Sequence, residues 1–183
     1  MWLVVSDGRD PQAAPEELEA VRELLNTWRI PNDTRIPTDD FSAFVSAHRL
    51  SKRDAAAVKD LRDDLRRIIV GDAGAEILDR HLRVHDVRPT LADDAALDFI
   101  HAAGRAGELC AIVLRSGIND TWARVKICPD CRWAFYDHTR SGNKRWCVMN
   151  ASGPNGRSCG NIAKLRRHRQ RIRTDRSDDI TNA

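Results

Sequence analysis

No run of apolar residues in the 183-residue sequence approaches the roughly 18 that a membrane-crossing helix requires, so a soluble protein is expected. The first ten residues hold an apolar stretch of four, with no basic region before it and no small-residue cleavage pattern, and the expected location is the cytoplasm. Three Asn-x-Ser/Thr triplets, at Asn32, Asn119 and Asn150, therefore carry no consequence. There is no G-x-S-x-G, P-loop or dinucleotide fingerprint, and no nucleophile, base and orienter are legible together. That absence favours a binding protein over an enzyme. Internal repeats and a heptad seam are also missing.

Acidic residues are scarce in one region only. Residues 1–123 hold 16 Lys/Arg against 22 Asp/Glu, residues 124–173 hold 13 against 2, and residues 174–183 hold 1 against 3. The net charge of +3 hides this segregation. Two charge regimes point to two units, and the basic one has the footprint of a polyanion binder.

The acidic part reads as about five helices, the whole chain as mainly α. Leu18, Val21, Leu24, Leu25 and Trp28 recur at helical spacing behind Pro15 and two acids. Thr38-Asp39-Asp40 is an N-cap cluster before Phe41, and Ser51-x-x-Asp54 is an acidic capping box before the face Val58, Leu61, Leu65, Ile68 and Ile69. A shorter helix is expected around Ile77 to Leu82, an extended segment around Pro89, and the longest helix from Asp93-Asp94 to a cap at Gly117. His81 and His85 read as surface histidines, Asp60, Asp63 and Asp64 as a solvated face, and Cys110 as a buried small hydrophobe. Asn26 and Thr27 fit either an internal polar contact or a ligand pocket.

At Trp122 the period drops from 3.6 to 2: Ala123, Val125 and Ile127 alternate with Arg124 and Lys126, a strand running into Cys128, and Trp133–Asp137 forms a second. Cys128-Pro-Asp-Cys131 is a C-x2-C knuckle; Cys147 follows after fifteen residues and Cys159 after eleven more. Four thiolates can close a tetrahedral zinc site with no open position, and no βαβ pattern favours a redox pair instead. A unit of about fifty residues with few aliphatics needs such a staple, since one structural zinc supplies on the order of 10–16 kcal/mol of apparent binding energy. Trp133 and Trp146 are expected to pack around the metal.

Arg145-Trp146-Cys147-Val148-Met149, then Cys159-Gly160-Asn161 and the basic run Ala163 to Arg169, together with the knuckle, Trp133, Phe135 and Asp137, resemble the CGNR zinc-finger family. Ile162 stands where the name-giving motif has Arg, and Cys147 and Cys159 are further apart than is usual in the family. Leu25-Asn26-Thr27-Trp28 and the last long helix are similar to its usual companion, the ABATE domain. The resemblance implies a bacterial transcription regulator made of an ABATE-like helical domain (1–121), a CGNR-type finger (122–173) and a polar tail (174–183).

The expected function is thus zinc-dependent binding to double-stranded DNA, with one structural zinc on Cys128, Cys131, Cys147 and Cys159. A basic helix from about Gly160 would present Asn161, Lys164, Arg166, Arg167, Arg169 and Arg171, joined by Lys144 and Arg145 from the preceding turn, while Ile162, Leu165 and Ile172 face the zinc unit. The helical domain would sense a small-molecule effector or form a homodimer. RNA binding in a translation-associated role and an enzyme sited in the helical domain are the two competing expectations.

Overall fold

The computed structural model describes residues 10–148, 158–165 and 167–169. The expectation of about five helices is roughly met by α1 (Leu18–Asn26), α2 (Phe41–Ala47), α3 (Lys52–Val70), α4 (Glu76–Val84) and α5 (Arg105–Ile118), with Trp28 outside the first and the fifth shorter than expected. Three antiparallel hairpins punctuate them: β1 (Trp28–Arg29) with β2 (Thr38–Asp39), β3 (Arg88–Leu91) with β4 (Leu97–Ile100), and β5 (Val125–Ile127) with β6 (Ala134–Tyr136). A further helix, α6, starts at residue 159 and is described over 159–165 and 167–169. The architecture is therefore mixed, helices with small hairpins, rather than mainly α. Among the described residues no helix is long and apolar enough to cross a membrane.

α3 is the longest helix among the described residues, and its ends follow from its sequence. Ser51 accepts the Asp54 N–H and its hydroxyl donates to the Asp54 carboxylate, a capping box turned toward the hydroxyl. Gly71, at φ +81°, supplies the left-handed residue that lets its N–H close on the Arg67 and Ile68 carbonyls. Between these caps Val58, Leu61 and Leu65 meet Leu18, Val21, Leu24 and Leu25 of α1 and Leu109, Ile112 and Val113 of α5 in the main core.

The segment after Pro89 departs from its expected form. Asp93-Asp94 opens no helix: Asp94 accepts the Ala96 N–H in a tight turn with Ala95 at φ +63°, and Arg88–Leu91 pairs with Leu97–Ile100. Acids before apolar residues signal a helix start, but the same side chains build turns, and Leu97-Asp98-Phe99-Ile100 also carries a strand's alternation. α5 begins only at Arg105 and runs through Gly117 to a cap at Asn119.

The two histidines are not both on the surface. His81 is buried, its Nε2 2.9 Å from an oxygen of Asp64, which is buried too and also pairs with Arg80. Asp64 thus belongs to a polar cluster joining α3 to α4 rather than to a solvated face.

A second network ties α3 to β2. Arg62, 1% exposed, reaches the Asp39 carboxylate with both Nη1 (2.7 Å) and Nη2 (3.0 Å) and donates to the Thr27 hydroxyl at 2.9 Å. The Arg62 hydrogen bonds hold the Asp39 carboxyl below its ordinary value of 3.8. A depressed carboxylate adds stability that is complete above its unfolded value and disappears as pH falls through the folded one. Stability measured by urea unfolding is expected to decline below about pH 4, with a smaller acid-dependent loss in Asp39→Asn.

Candidate metal centre

The hairpin β5–β6 has two working faces. Val125, Ile127, Ala134 and Tyr136 point into the main core, whereas Phe135 on the opposite face is fully buried in a second, separate cluster with Cys128, Cys131, Cys147 and Cys159. The period-2 pattern thus seats one face of the hairpin on the helices and turns the other toward the cysteines. In the turn between the strands, the Cys128 N–H reaches the Trp133 carbonyl and the Arg132 N–H reaches the Cys128 carbonyl, both at 2.9 Å, with Arg132 left-handed at φ +61°. This turn brings the first two sulfurs together.

Asp137 steers the chain toward the third. Its carboxylate accepts the Thr139 N–H and hydroxyl and the Lys144 N–H (2.7 Å). Burial opposes its ionisation, but these donors outweigh burial and keep its pKa below the usual range. Cys147 follows, and the fourth cysteine is the first residue of α6. There Ser158 accepts the Asn161 N–H, and the Gly160 N–H bonds the Val148 carbonyl.

All four sulfurs lie within 4.8 Å of one another, with Cys131 3.4 Å from Cys147 and Cys147 3.7 Å from Cys159. A tetrahedral zinc site with Zn–S bonds near 2.3 Å has sulfur–sulfur edges of about 3.8 Å. The cysteines are reduced and buried. Four thiolates packed this closely repel one another: hydrogen bonding within the cluster pulls the Cys128 thiol down and, together with burial, pushes Cys131 and Cys147 up. A divalent ion resolves that conflict, and the four cysteines can hold one zinc ion. Trp133 and Trp146 pack against the cluster as expected.

Groups far away in sequence complete the surroundings. Asn32 Nδ2 donates to Cys159 Sγ at 3.2 Å, a bond suited to a metal-bound thiolate. Arg35 bonds both the carboxylate and the carbonyl of the buried Asp130 within the knuckle, and the Ile30 N–H reaches the Cys131 carbonyl at 2.8 Å. The strand and loop after α1 therefore clasp the knuckle from outside. Nothing in the spacing of Asn32 or Arg35 signals this, because both act across about a hundred residues of sequence.

The CGNR zinc finger model matches residues 124–172. The match contains all four cysteines, the hairpin and α6. No curated protein matches the chain.

Of the cations expected on the finger's binding face, Lys164, Arg167 and Arg169 are exposed on α6, as is Asn161 at its start. Arg145 is exposed and stacks on Trp146 at 5.5 Å, while Lys144 is half-buried with its ammonium 5.3 Å from the Phe135 ring centroid. Arg166, Arg171, Ile172, the loop 150–157 and the tail 174–183 lie outside the described residues. Leu165 does not face the zinc unit; it is 55% exposed, whereas Ile162 and Ala163, nearer Cys159, are half-buried.

Proposed function

We propose that the chain is a cytoplasmic, zinc-dependent transcription regulator that binds double-stranded DNA and is not an enzyme. In this reading an ABATE-like helical part senses a ligand or mediates self-association as a homodimer. The supporting observation is that α6 begins on a metal-ligand cysteine and carries exposed Lys164, Arg167 and Arg169 with no acidic residue between Cys159 and Arg173. A helix fixed to the metal at one end and cationic along its exposed side suits phosphate contact and the reading of a guanine edge by arginine.

Fluorescence anisotropy of a labelled duplex across a salt series tests this. If Lys144, Arg145, Lys164, Arg167 and Arg169 each neutralise one phosphate, log K falls with log salt at a slope of about −4 to −5. Lys164→Ala together with Arg167→Ala is expected to reduce that slope by about two with zinc content unchanged. A flat salt response, or unaltered affinity in the double variant, opposes the reading. Structured RNA displacing the duplex at equal concentration moves it to RNA.

A further inference from the structure

We propose that the recess between the end of α3, β5 and the zinc knuckle binds a small phosphorylated ligand. The recess has a volume of about 440 Å³, within the roughly 300–1,000 Å³ typical of small-molecule sites. Its cationic wall consists of Lys126, Arg132, Lys144 and Arg145; its apolar wall includes Ile69, Val70 and Ile127; no Asp or Glu lines it.

The charge arrangement here differs from that around the arginines that tie the helices together. Arg22, Arg62 and Arg115 each pair with two carboxylates. Among the described residues Lys126, Arg132, Lys144 and Arg145 form no ion pair; the Asp137 carboxylate takes the Lys144 N–H, and its pKa is lowered in part by the Lys144 charge. A fifth cation stands behind them: Arg66 donates to the Arg132 carbonyl at 2.9 Å and stacks on Trp28 at 4.8 Å. Burial, with the charges of Arg62 and Arg132, pulls the Arg66 pKa down to about 10. An anion seated against Arg132 relieves this repulsion, and two guanidinium groups beside two ammonium groups suit a phosphate's several acceptor oxygens.

The volume favours a small molecule, which can fill it, over a duplex, which would present only phosphate at its mouth, and the apolar wall of Ile69, Val70 and Ile127 provides for the non-ionic part of such a ligand. The site also joins the two parts of the chain, since α3 supplies Ile69 and Val70 and the finger supplies the cations. The assignment goes beyond DNA binding and stands whether or not the finger binds a duplex.

Isothermal titration of the zinc-loaded full chain with inorganic pyrophosphate tests it. Saturable one-to-one binding is expected, weakened at least tenfold in Lys126→Gln/Arg132→Gln. Lys52→Gln/Arg53→Gln removes the same charge at the other end of α3, about 25 Å away, and is expected to bind like the parent. Zinc content and far-UV circular dichroism verify the fold of each variant. No saturable binding by the parent overturns the proposal, as does equal weakening in both variants or none in the first. The same proteins titrated with duplex DNA separate the sources of phosphate. Lys126→Gln/Arg132→Gln is expected to keep duplex affinity within about twofold; a tenfold loss for duplex with pyrophosphate binding intact would assign the recess to the DNA backbone. Failure of the parent to bind duplex, with pyrophosphate binding retained, removes the DNA reading alone.

Discussion

Replacing Cys131 by serine is expected to weaken zinc binding about a hundredfold and to unravel the finger beyond the hairpin while leaving α1 to α5 folded. Spread over four thiolates, the apparent binding energy of a structural zinc amounts to about 3 kcal/mol per ligand, which sets the size of the effect. The selectivity comes from the two separate cores. Val125, Ile127, Ala134 and Tyr136 stay packed on α1, α3 and α5 without the metal, whereas Phe135, Trp133 and Trp146 belong to the apolar cluster built on the cysteines, with Trp133 also overlain by Arg22 and Arg29. Competition with a chelating dye measures the affinity, the fluorescence of the five tryptophans includes the response of Trp133 and Trp146, and far-UV circular dichroism reports the helices. Cys110→Ala is the control. That thiol is buried in α5, its pKa pushed up to about 12 by burial, and it should leave zinc content at one per chain. Undiminished zinc affinity in Cys131→Ser contradicts the four-sulfur site.

How far the sequence led depended on whether a feature was local. Four cysteines after a period-2 strand made the metal site legible, and the faces of α1 and α3 could be read from spacing and caps. The β3–β4 hairpin could not, since Asp93-Asp94 is chemically as apt for a turn as for a helix start. Asp64 and His81 sit seventeen residues apart on different helices, so their pairing depends on how α3 and α4 dock. The outer shell of the metal centre was hidden for the same reason: Asn32 and Arg35 lie in a polar loop whose role appears only once Cys159 and Asp130 are beside it. The recess is a further case, because Lys126 and Arg132 read as ordinary members of a basic segment until the end of α3 gives them an apolar wall.

The quartet Leu25-Asn26-Thr27-Trp28 shows how one short stretch joins the two parts. Leu25 fills the main core, Thr27 holds Arg62 and Trp28 supports Arg66. Asn26 does the docking: its Oδ1 accepts the Ala134 N–H at 2.7 Å and its Nδ2 donates to the Ala134 carbonyl at 2.9 Å, so the end of α1 binds β6 as a neighbouring strand would. Asn26→Ala leaves that buried N–H without this partner, and the carbonyl keeps only a 3.4 Å bond from Arg22. At roughly 1–3 kcal/mol for each buried group deprived of its partner, the loss is expected to be about 2–4 kcal/mol in urea unfolding. Asn26→Asp should cost at least as much at neutral pH, because it sets a carboxylate against the Ala134 carbonyl, and should recover in part in acid, where the protonated side chain donates again. Zinc stoichiometry is expected to remain at one in both variants, since the sulfur cluster lies on the hairpin's opposite face. A loss below about 0.5 kcal/mol in Asn26→Ala would show that water takes over both bonds and that the apolar face alone holds the hairpin to the helices.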